Sequence, residues 1–201
     1  SINLYNRQVH MIDNIKEEKI TKAKKMMLLF GLLSITMTFA GLTSAYIVSK
    51  GRPDWTLDFN LPTEFFFSTL IIVLSSITLF ISKNKLVNGK PVNSVFIWIL
   101  ITFILGIVFI IFQFIGFNNI IDQGYYFAGA QSAIKTSFIY VLSFLHIVHL
   151  VAGLIVLIVL MVNTKKGKYV NNNLGFNLGS NFWHFLDFLW LYLFSFFYFF
   201  G

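Results

Sequence analysis

Five long apolar stretches, separated by short polar segments, constrain the fold of this chain more than any other feature. They cover residues 26–48, 65–82, 94–114, 137–162 and 181–200. A helix that crosses a hydrocarbon layer of about 30 Å needs roughly 17–25 residues, and it must satisfy its backbone hydrogen bonds internally. The sequence therefore predicts an all-α integral membrane bundle of five transmembrane helices. We expect a membrane domain at 26–201, preceded by a surface helix within the cytoplasmic segment 1–25.

The composition agrees with a membrane protein and removes several kinds of chemistry. Charged residues make up 11% of the chain, whereas soluble domains carry about 25%. The chain has no cysteine, which excludes disulfides, thiolate metal sites and thiol catalysis.

The charges alternate between successive polar segments. Of the 15 Lys and Arg residues, 12 lie in 1–25, 83–93 and 163–180. The other two connections, 49–64 and 115–136, contain three basic and four acidic residues. Because Lys and Arg concentrate in cytoplasmic loops, we predict a cytoplasmic N-terminus and a periplasmic C-terminus. Membrane orientation and anionic lipid then explain the net charge of +7, and we expect no nucleic-acid partner.

Four ionisable side chains lie within the predicted spans: His146, His149, His184 and Asp187. The members of each pair are three residues apart, so they share a helix face. Such groups are costly in a membrane and are usually functional. They could together form a metal or haem site, because imidazole and carboxylate are suitable ligands. Alternatively, they could hydrogen-bond to neighbouring helices and fix their packing.

The predicted depths of these side chains favour the packing role. At 1.5 Å per residue, His149 lies about 20 Å from the inner end of its span, and His184 about 5 Å from the inner end of its own. We therefore expect structural contacts rather than a metal site. The fifth span is also rich in aromatic residues, and we expect Trp183 and Trp190 to serve as structural, lipid or subunit contacts.

The last span carries the most specific motif in the chain. Residues 182–201 have the sequence FWHFLDFLWLYLFSFFYFFG, which resembles the C-terminal signature W-H-F-x-D-x-x-W-L-x-L of cytochrome c oxidase subunit III. His146, His149 and Gly153 match that family's H-x-x-H-x-x-x-G, and residues 41–46, GLTSAY, are similar to its G-L-x-x-A-Y. Further positions that fit the family are Thr69, Ser75, Ser76, Thr78, Gly106 and Gln113. The resemblance extends over 24–201.

Three positions depart from the family pattern, and each lacks a glutamate. They are Ile35 after Ser34, Gly116 three residues after Gln113, and Asn177 in a G-F-E motif. These losses argue against the proton-collecting surface that the resemblance would otherwise imply. Longer family members have two further N-terminal helices that frame a lipid-filled cleft. This chain begins where their third helix would begin, so we expect that cleft to be absent or completed by another subunit.

The resemblance implies a non-redox core subunit of a respiratory haem-copper cytochrome c oxidase, which reduces dioxygen and pumps protons. It implies no catalytic residue and no cofactor in this chain, because the haems and copper belong to subunits I and II. The implied partners are those subunits, membrane phospholipid and cytochrome c, and the complex could join a larger respiratory supercomplex. The five-helix form favours a bacterial plasma membrane over a mitochondrial inner membrane. Two alternatives stay open: the equivalent subunit of a quinol oxidase, and a free-standing haem or metal membrane enzyme.

Overall fold

The chain forms five α-helices and no strand in the residues described by a computed structural model, which are 2–51, 62–124, 134–169 and 172–200. All five helices are long and apolar enough to cross a membrane. This confirms the predicted all-α bundle. The predicted cytoplasmic N-terminus and periplasmic C-terminus stay predictions, because Ser1 and Gly201 lie outside the described residues. The helices are α1 Ile2–Ser49, α2 Glu64–Val87, α3 Val92–Asp122, α4 Ile134–Lys165 and α5 Leu174–Phe200.

The helices extend beyond the predicted spans. The 48 residues of α1 form one uninterrupted helix about 72 Å long, so the expected boundary at residue 25 falls inside it. Whether 1–25 lies on the membrane surface stays a prediction. Helix α5 begins at Leu174 instead of Asn181, because polar residues such as Asn177 lower the hydropathy without interrupting backbone hydrogen bonds.

Two tight turns separate helices at one end of the bundle. After α2, Gly89 adopts φ 64°, and the Lys90 amide donates to the Lys85 carbonyl oxygen at 3.0 Å. After α4, Gly167 has φ 67° and the same bond recurs between Lys168 and Asn163 at 3.1 Å. This is the Schellman ending of a helix, which favours glycine at the left-handed position.

The last four helices form a closed ring: each of α2 to α4 packs against the next helix in the chain, and α5 packs against α2. Within the described residues, α1 packs on the outside of this ring against α4 and α5 only. The Thr43 hydroxyl lies 2.9 Å from that of Tyr192 on α5, and the Tyr46 hydroxyl donates to the Phe200 carbonyl oxygen at 3.2 Å. The segment 41–46 thus attaches α1 to the last helix.

Lysines mark the two ends of the bundle by their contacts with aromatic rings. At one end, the Lys85 ammonium lies 5.4 Å from the Trp98 ring centroid and that of Lys165 lies 4.3 Å from Phe96. At the other end, the Lys50 ammonium lies 5.2 Å from the Phe200 ring. Such lysines keep their charge at the polar boundary while their stems cover apolar surface.

Candidate functional site

The Trp183 indole fills the centre of the ring, where all four of its helices meet. The side chain is 1% exposed, and its Nε1 donates to Ser75 Oγ on α2 at 3.1 Å. A Cβ on Gly106 of α3 would lie 2.8 Å from Trp183 Cη2. A Cβ on Gly153 of α4 would lie 3.1 Å from Trp183 Cε3 and 2.7 Å from Leu186 Cδ1. The two glycines therefore make room for the indole.

Trp190 repeats this arrangement two turns further along α5. Its Nε1 donates to Thr69 Oγ1 on α2 at 3.0 Å, and its ring stacks on Phe65 at 5.9 Å. On the other side, the Phe109 ring of α3 contacts it edge-on at 5.1 Å. Both tryptophans are thus buried inside the bundle, where they join α5 to α2 by neutral hydrogen bonds.

Hydroxyl groups of α2 form the hydrogen bonds that join this helix to α3 and α5. Ser68, Ser75 and Ser82 are fully buried, and they recur every seven residues on one helix face. Ser68 accepts from Gln113 Nε2 at 2.8 Å, while Ser82 donates to the Val95 carbonyl oxygen at 3.0 Å. The sequence prediction assigned no partner to these hydroxyls. Their seven-residue spacing is the signal that could have identified a polar interhelical face.

His146 lies buried between aromatic rings of two other helices. Its ring centroid is 5.9 Å from that of Phe109 on α3 and 5.3 Å from that of Trp190 on α5. Neither ring nitrogen has a hydrogen-bond partner among the described residues. The side chain therefore acts here as a packing element, and not through the hydrogen bonds to neighbouring helices that we expected.

His149, one turn later on α4, faces a different neighbour. Its Nδ1 lies 2.7 Å from the Leu145 carbonyl oxygen of its own helix, which can only accept the bond. Its ring contacts Phe39 of α1 at 5.8 Å. The two histidines of the H-x-x-H motif thus lie on the same helix but contact different helices.

His184 and Asp187 lie on the side of α5 that meets α2. His184 Nδ1 is 2.6 Å from Ser76 Oγ. The Asp187 side chain is 3% exposed, and neither carboxylate oxygen has a hydrogen-bond partner within the described parts of the chain. The donors nearest in sequence, Trp183 and His184, bond to Ser75 and Ser76 instead.

A groove of about 520 Å³ opens to the outside of the bundle beside Asp187. Apolar residues of α2 and α5 supply most of its walls. His184 and Asp187 line it together with Val73, Ser76, Phe80 and Phe188.

The four ionisable groups of the spans do not form one site. His146 and His149 contact α1, α3 and α5, whereas His184 and Asp187 lie against α2. Across the described residues, no three His, Cys, Asp or Glu side chains gather where they could hold a metal ion. The arrangement instead supplies helix packing, and the Asp187 carboxyl group lies beside the groove between α2 and α5.

The three positions that lack the family's glutamates differ in their surroundings. Ile35 is partly buried against the core, and Asn177 is half-buried near the start of α5. A Cβ on Gly116 would lie 3.3 Å from the Phe65 ring. A glutamate could occupy that position only if Phe65 moved.

Comparison with known proteins gives a consistent result over nearly the whole chain. A sequence model of the family described as cytochrome c oxidase subunit III matches residues 9–201. The cytochrome bo(3) ubiquinol oxidase subunit 3 of Pseudomonas aeruginosa is 32% identical over 172 residues, which cover 82% of this chain and 78% of that protein.

Of two further relatives, one is named as a subunit of a cytochrome c oxidase and the other as a subunit of a ubiquinol oxidase. The cytochrome c oxidase subunit 3 of a Bacillus species is 30% identical over 165 residues, or 80% of this chain and 77% of that protein. The cytochrome bo(3) ubiquinol oxidase subunit 3 of Buchnera aphidicola is 27% identical over 207 residues, or 98% and 96% of the two chains.

Proposed function

The chain belongs to the cytochrome c oxidase subunit III family, and from this premise we propose that it is a non-redox core subunit that packs beside subunit I of a proton-pumping respiratory oxidase. The match of residues 9–201 to the family carries this proposal. Subunit III belongs to a haem-copper oxidase complex, in which the haems and copper are held by subunits I and II. The role of this chain is to keep the oxygen-reducing subunit intact through many turnovers and to retain structural phospholipid.

The interior of the bundle supports a packing role. Several of its buried polar side chains form bonds between helices, such as Trp183 with Ser75 and Trp190 with Thr69. The Thr78 and Thr102 hydroxyls, 2.8 Å apart, join α2 to α3 in the same way. Bonds between helices within a membrane contribute about 0.6 kcal/mol each on average. Together with close packing around the glycines, they give a rigid surface for a partner subunit.

The outside of the bundle supports contacts with lipid and with other membrane helices. Large apolar side chains are exposed on every helix, for example Phe30, Phe67, Ile111, Ile155 and Phe199. Contiguous apolar surface of this kind needs hydrocarbon or a protein partner to cover it. A bacterial plasma membrane is the proposed location, because the compared relatives are bacterial.

Cytochrome c is the electron donor that we propose for the complex, following the family description. Ubiquinol is a second candidate, because two of the compared relatives are named as subunits of ubiquinol oxidases. The purified complex distinguishes them directly. It should oxidise reduced cytochrome c and contain a copper site in subunit II. Rapid oxidation of ubiquinol without such a copper site would favour the second candidate.

Affinity purification of this chain from its native membrane tests the proposed role. We expect haem-containing subunits to co-purify with this chain in amounts equal to its own. Removing the chain should leave the initial rate of oxygen reduction nearly unchanged and shorten the time for which the enzyme stays active. A chain that purifies without any haem protein would contradict the proposal.

A further inference from the structure

A pocket of about 370 Å³ lies between the two tight turns that follow α2 and α4. The left-handed glycines of these turns, Gly89 and Gly167, both line it. Leu86 and Val95 supply apolar wall, whereas Lys90 and Thr164 are polar. Small-molecule sites usually have volumes of roughly 300–1,000 Å³. The pocket is therefore large enough to hold a small ligand or the headgroup of a larger one.

The two turns concentrate positive charge around this pocket. Segments 83–93 and 163–180 contain six lysines and no aspartate or glutamate. In each turn a lysine directly follows the left-handed glycine: Lys90 follows Gly89, and Lys168 follows Gly167. Basic residues that lie together without acidic partners create a positive potential. The pocket therefore favours an anionic ligand.

The contacts of two further lysines leave this charge in place. The Lys85 ammonium donates to Ser94 Oγ at 2.9 Å, and that of Lys165 lies over the Phe96 ring at 4.3 Å. Both partners are neutral. These contacts also place the pocket at the end of the bundle where lysines lie beside aromatic rings, which is typical of the boundary between hydrocarbon and water.

The apolar part of the pocket distinguishes between possible anions. Val87 lines the pocket and is 63% exposed, and Phe80, two turns earlier on the same face of α2, is 62% exposed. An apolar strip thus leads from the pocket along the outside of the helix. A free anion would use only the charged part of this surface. A phospholipid has its phosphate at the membrane boundary and its acyl chains in the hydrocarbon layer, so it matches both parts.

We propose that this pocket binds the headgroup of an anionic phospholipid. Lys90 contacts the phosphate, Lys168 adds to the attraction from the opposite turn, and an acyl chain follows α2 over Val87 and Phe80. The inference rests on the proposed retention of structural phospholipid and gives one such lipid a position and a charge.

Photolabelling of the full chain in mixed micelles tests this proposal. The probe is a phosphatidylglycerol that carries a diazirine on its acyl chain, close to the glycerol. The comparison probe is a phosphatidylcholine with the same diazirine. Ultraviolet light should attach the phosphatidylglycerol to the peptide that contains 86–95, as identified by mass spectrometry, and the phosphatidylcholine should label this peptide much less. Equal labelling by the two probes would overturn the proposal.

Three lysine variants connect the labelling to the pocket. A basic residue near the membrane surface strengthens the binding of anionic lipid about fivefold, so Lys90→Gln should lower phosphatidylglycerol labelling of 86–95 by about that factor. Lys90→Arg keeps the charge and should retain the labelling. The control Lys22→Gln removes the same charge from an exposed position on α1 and should have no effect. Equal losses in Lys90→Gln and Lys22→Gln would indicate unspecific attraction and contradict the site.

Two competition experiments separate the phospholipid from other occupants. Inorganic phosphate, added at constant ionic strength, should leave the labelling unchanged, because it cannot replace the acyl-chain contacts. Displacement by inorganic phosphate would mean that the pocket takes a free anion. In the purified oxidase the same peptide should still be labelled. Loss of labelling there would assign the pocket to a segment of a partner subunit, and either result would overturn the proposal.

Failure of this inference is distinguishable from failure of the proposed function. If the tagged chain purifies with haem-containing subunits but phosphatidylglycerol labels other peptides, only the lipid site is wrong. If the chain purifies without them and 86–95 is still labelled, the lipid site is correct and the oxidase role is wrong.

Discussion

Trp183 Nε1 donates a 3.1 Å hydrogen bond to Ser75 Oγ, although the two residues are 108 positions apart in the chain. Ser75 in turn donates to the Ile72 carbonyl oxygen of its own helix at 2.7 Å. The hydroxyl is therefore a donor within α2 and an acceptor toward α5, which uses both of its hydrogen-bonding functions. This fixed acceptor orients the indole between Gly106 and Gly153.

Gly153→Ala tests the close packing around the indole. The added methyl group would approach Leu186 Cδ1 to 2.7 Å and Trp183 Cε3 to 3.1 Å. Overpacking of this kind costs about 1–3 kcal/mol. We expect the free energy of unfolding of the chain in mixed micelles, followed by tryptophan fluorescence, to fall by that amount. The control Gly41→Ala meets no atom within 4 Å, and it should be neutral or stabilising by up to about 1 kcal/mol.

A double-mutant cycle measures the bond between Trp183 and Ser75. Trp183→Phe removes the donor and Ser75→Ala removes the acceptor. We expect a coupling energy of about 0.5–1.5 kcal/mol from the unfolding free energies of the single and double variants. The control cycle pairs Trp183→Phe with Ser68→Ala, whose hydroxyl bonds to Gln113. Equal coupling in the two cycles would mean that the hydrogen bond makes no specific contribution.

Asp187 variants distinguish assembly from internal stability. The carboxyl group accepts no hydrogen bond from the described parts of the chain, so Asp187→Leu should not lower the stability of the isolated chain. It should nevertheless weaken retention of the chain in the purified oxidase, whereas Asp187→Asn should largely preserve retention. The initial rate of oxygen reduction should change little in both. Loss of turnover in a fully assembled Asp187→Asn complex would instead identify a proton carrier.

Single cysteines test the orientation, because the natural chain has none. Lys90→Cys, near Lys85, and Lys166→Cys should react with a membrane-impermeant maleimide only from the cytoplasmic side, since basic loops face inward. Lys50→Cys, at the opposite end of the bundle, should react only from the periplasmic side. Labelling of either inner loop from the periplasm would reverse the proposed topology.

Metal and haem analysis tests the expected lack of a cofactor in this chain. His149 bonds to its own helix and contacts Phe39, so we expect its replacement by Ala to leave metal and haem content unchanged. The measurement is elemental analysis and an optical spectrum of the isolated chain. A stoichiometric metal that is lost in His149→Ala would establish a site that involves this residue.

Hydropathy and length were sufficient to predict the number and type of helices, because a backbone in hydrocarbon has few alternatives. They were less informative about boundaries. Residues 174–180 contain Asn and Ser, which lower hydropathy, yet α5 begins at Leu174. A helix can continue into the polar boundary of a membrane, where its length no longer depends on apolar side chains.

The contacts of the candidate site could be predicted only by knowing which helices are neighbours, and the sequence does not provide this. Spacing placed His146 and His149 on one helix face, but their partners lie on different helices because that face is wide enough to meet several. The hydrogen-bond partner of Trp183 could not be predicted either, since it depends on how α2 and α5 are aligned. The hydroxyls at seven-residue intervals on α2 were the missed indication of that alignment.

The attachment of α1 has a consequence for the order in which the chain is assembled during translation. Its Thr43 and Tyr46 contact Tyr192 and Phe200, which are 149 and 154 residues later. At about 5–20 residues per second, the ribosome needs on the order of ten seconds or more to synthesise the intervening chain. Helix α1 is made first, but it can form these contacts only after α5, the last helix, has been made. Until then, lipid or the insertion machinery must cover the surface of α1 that α5 later occupies.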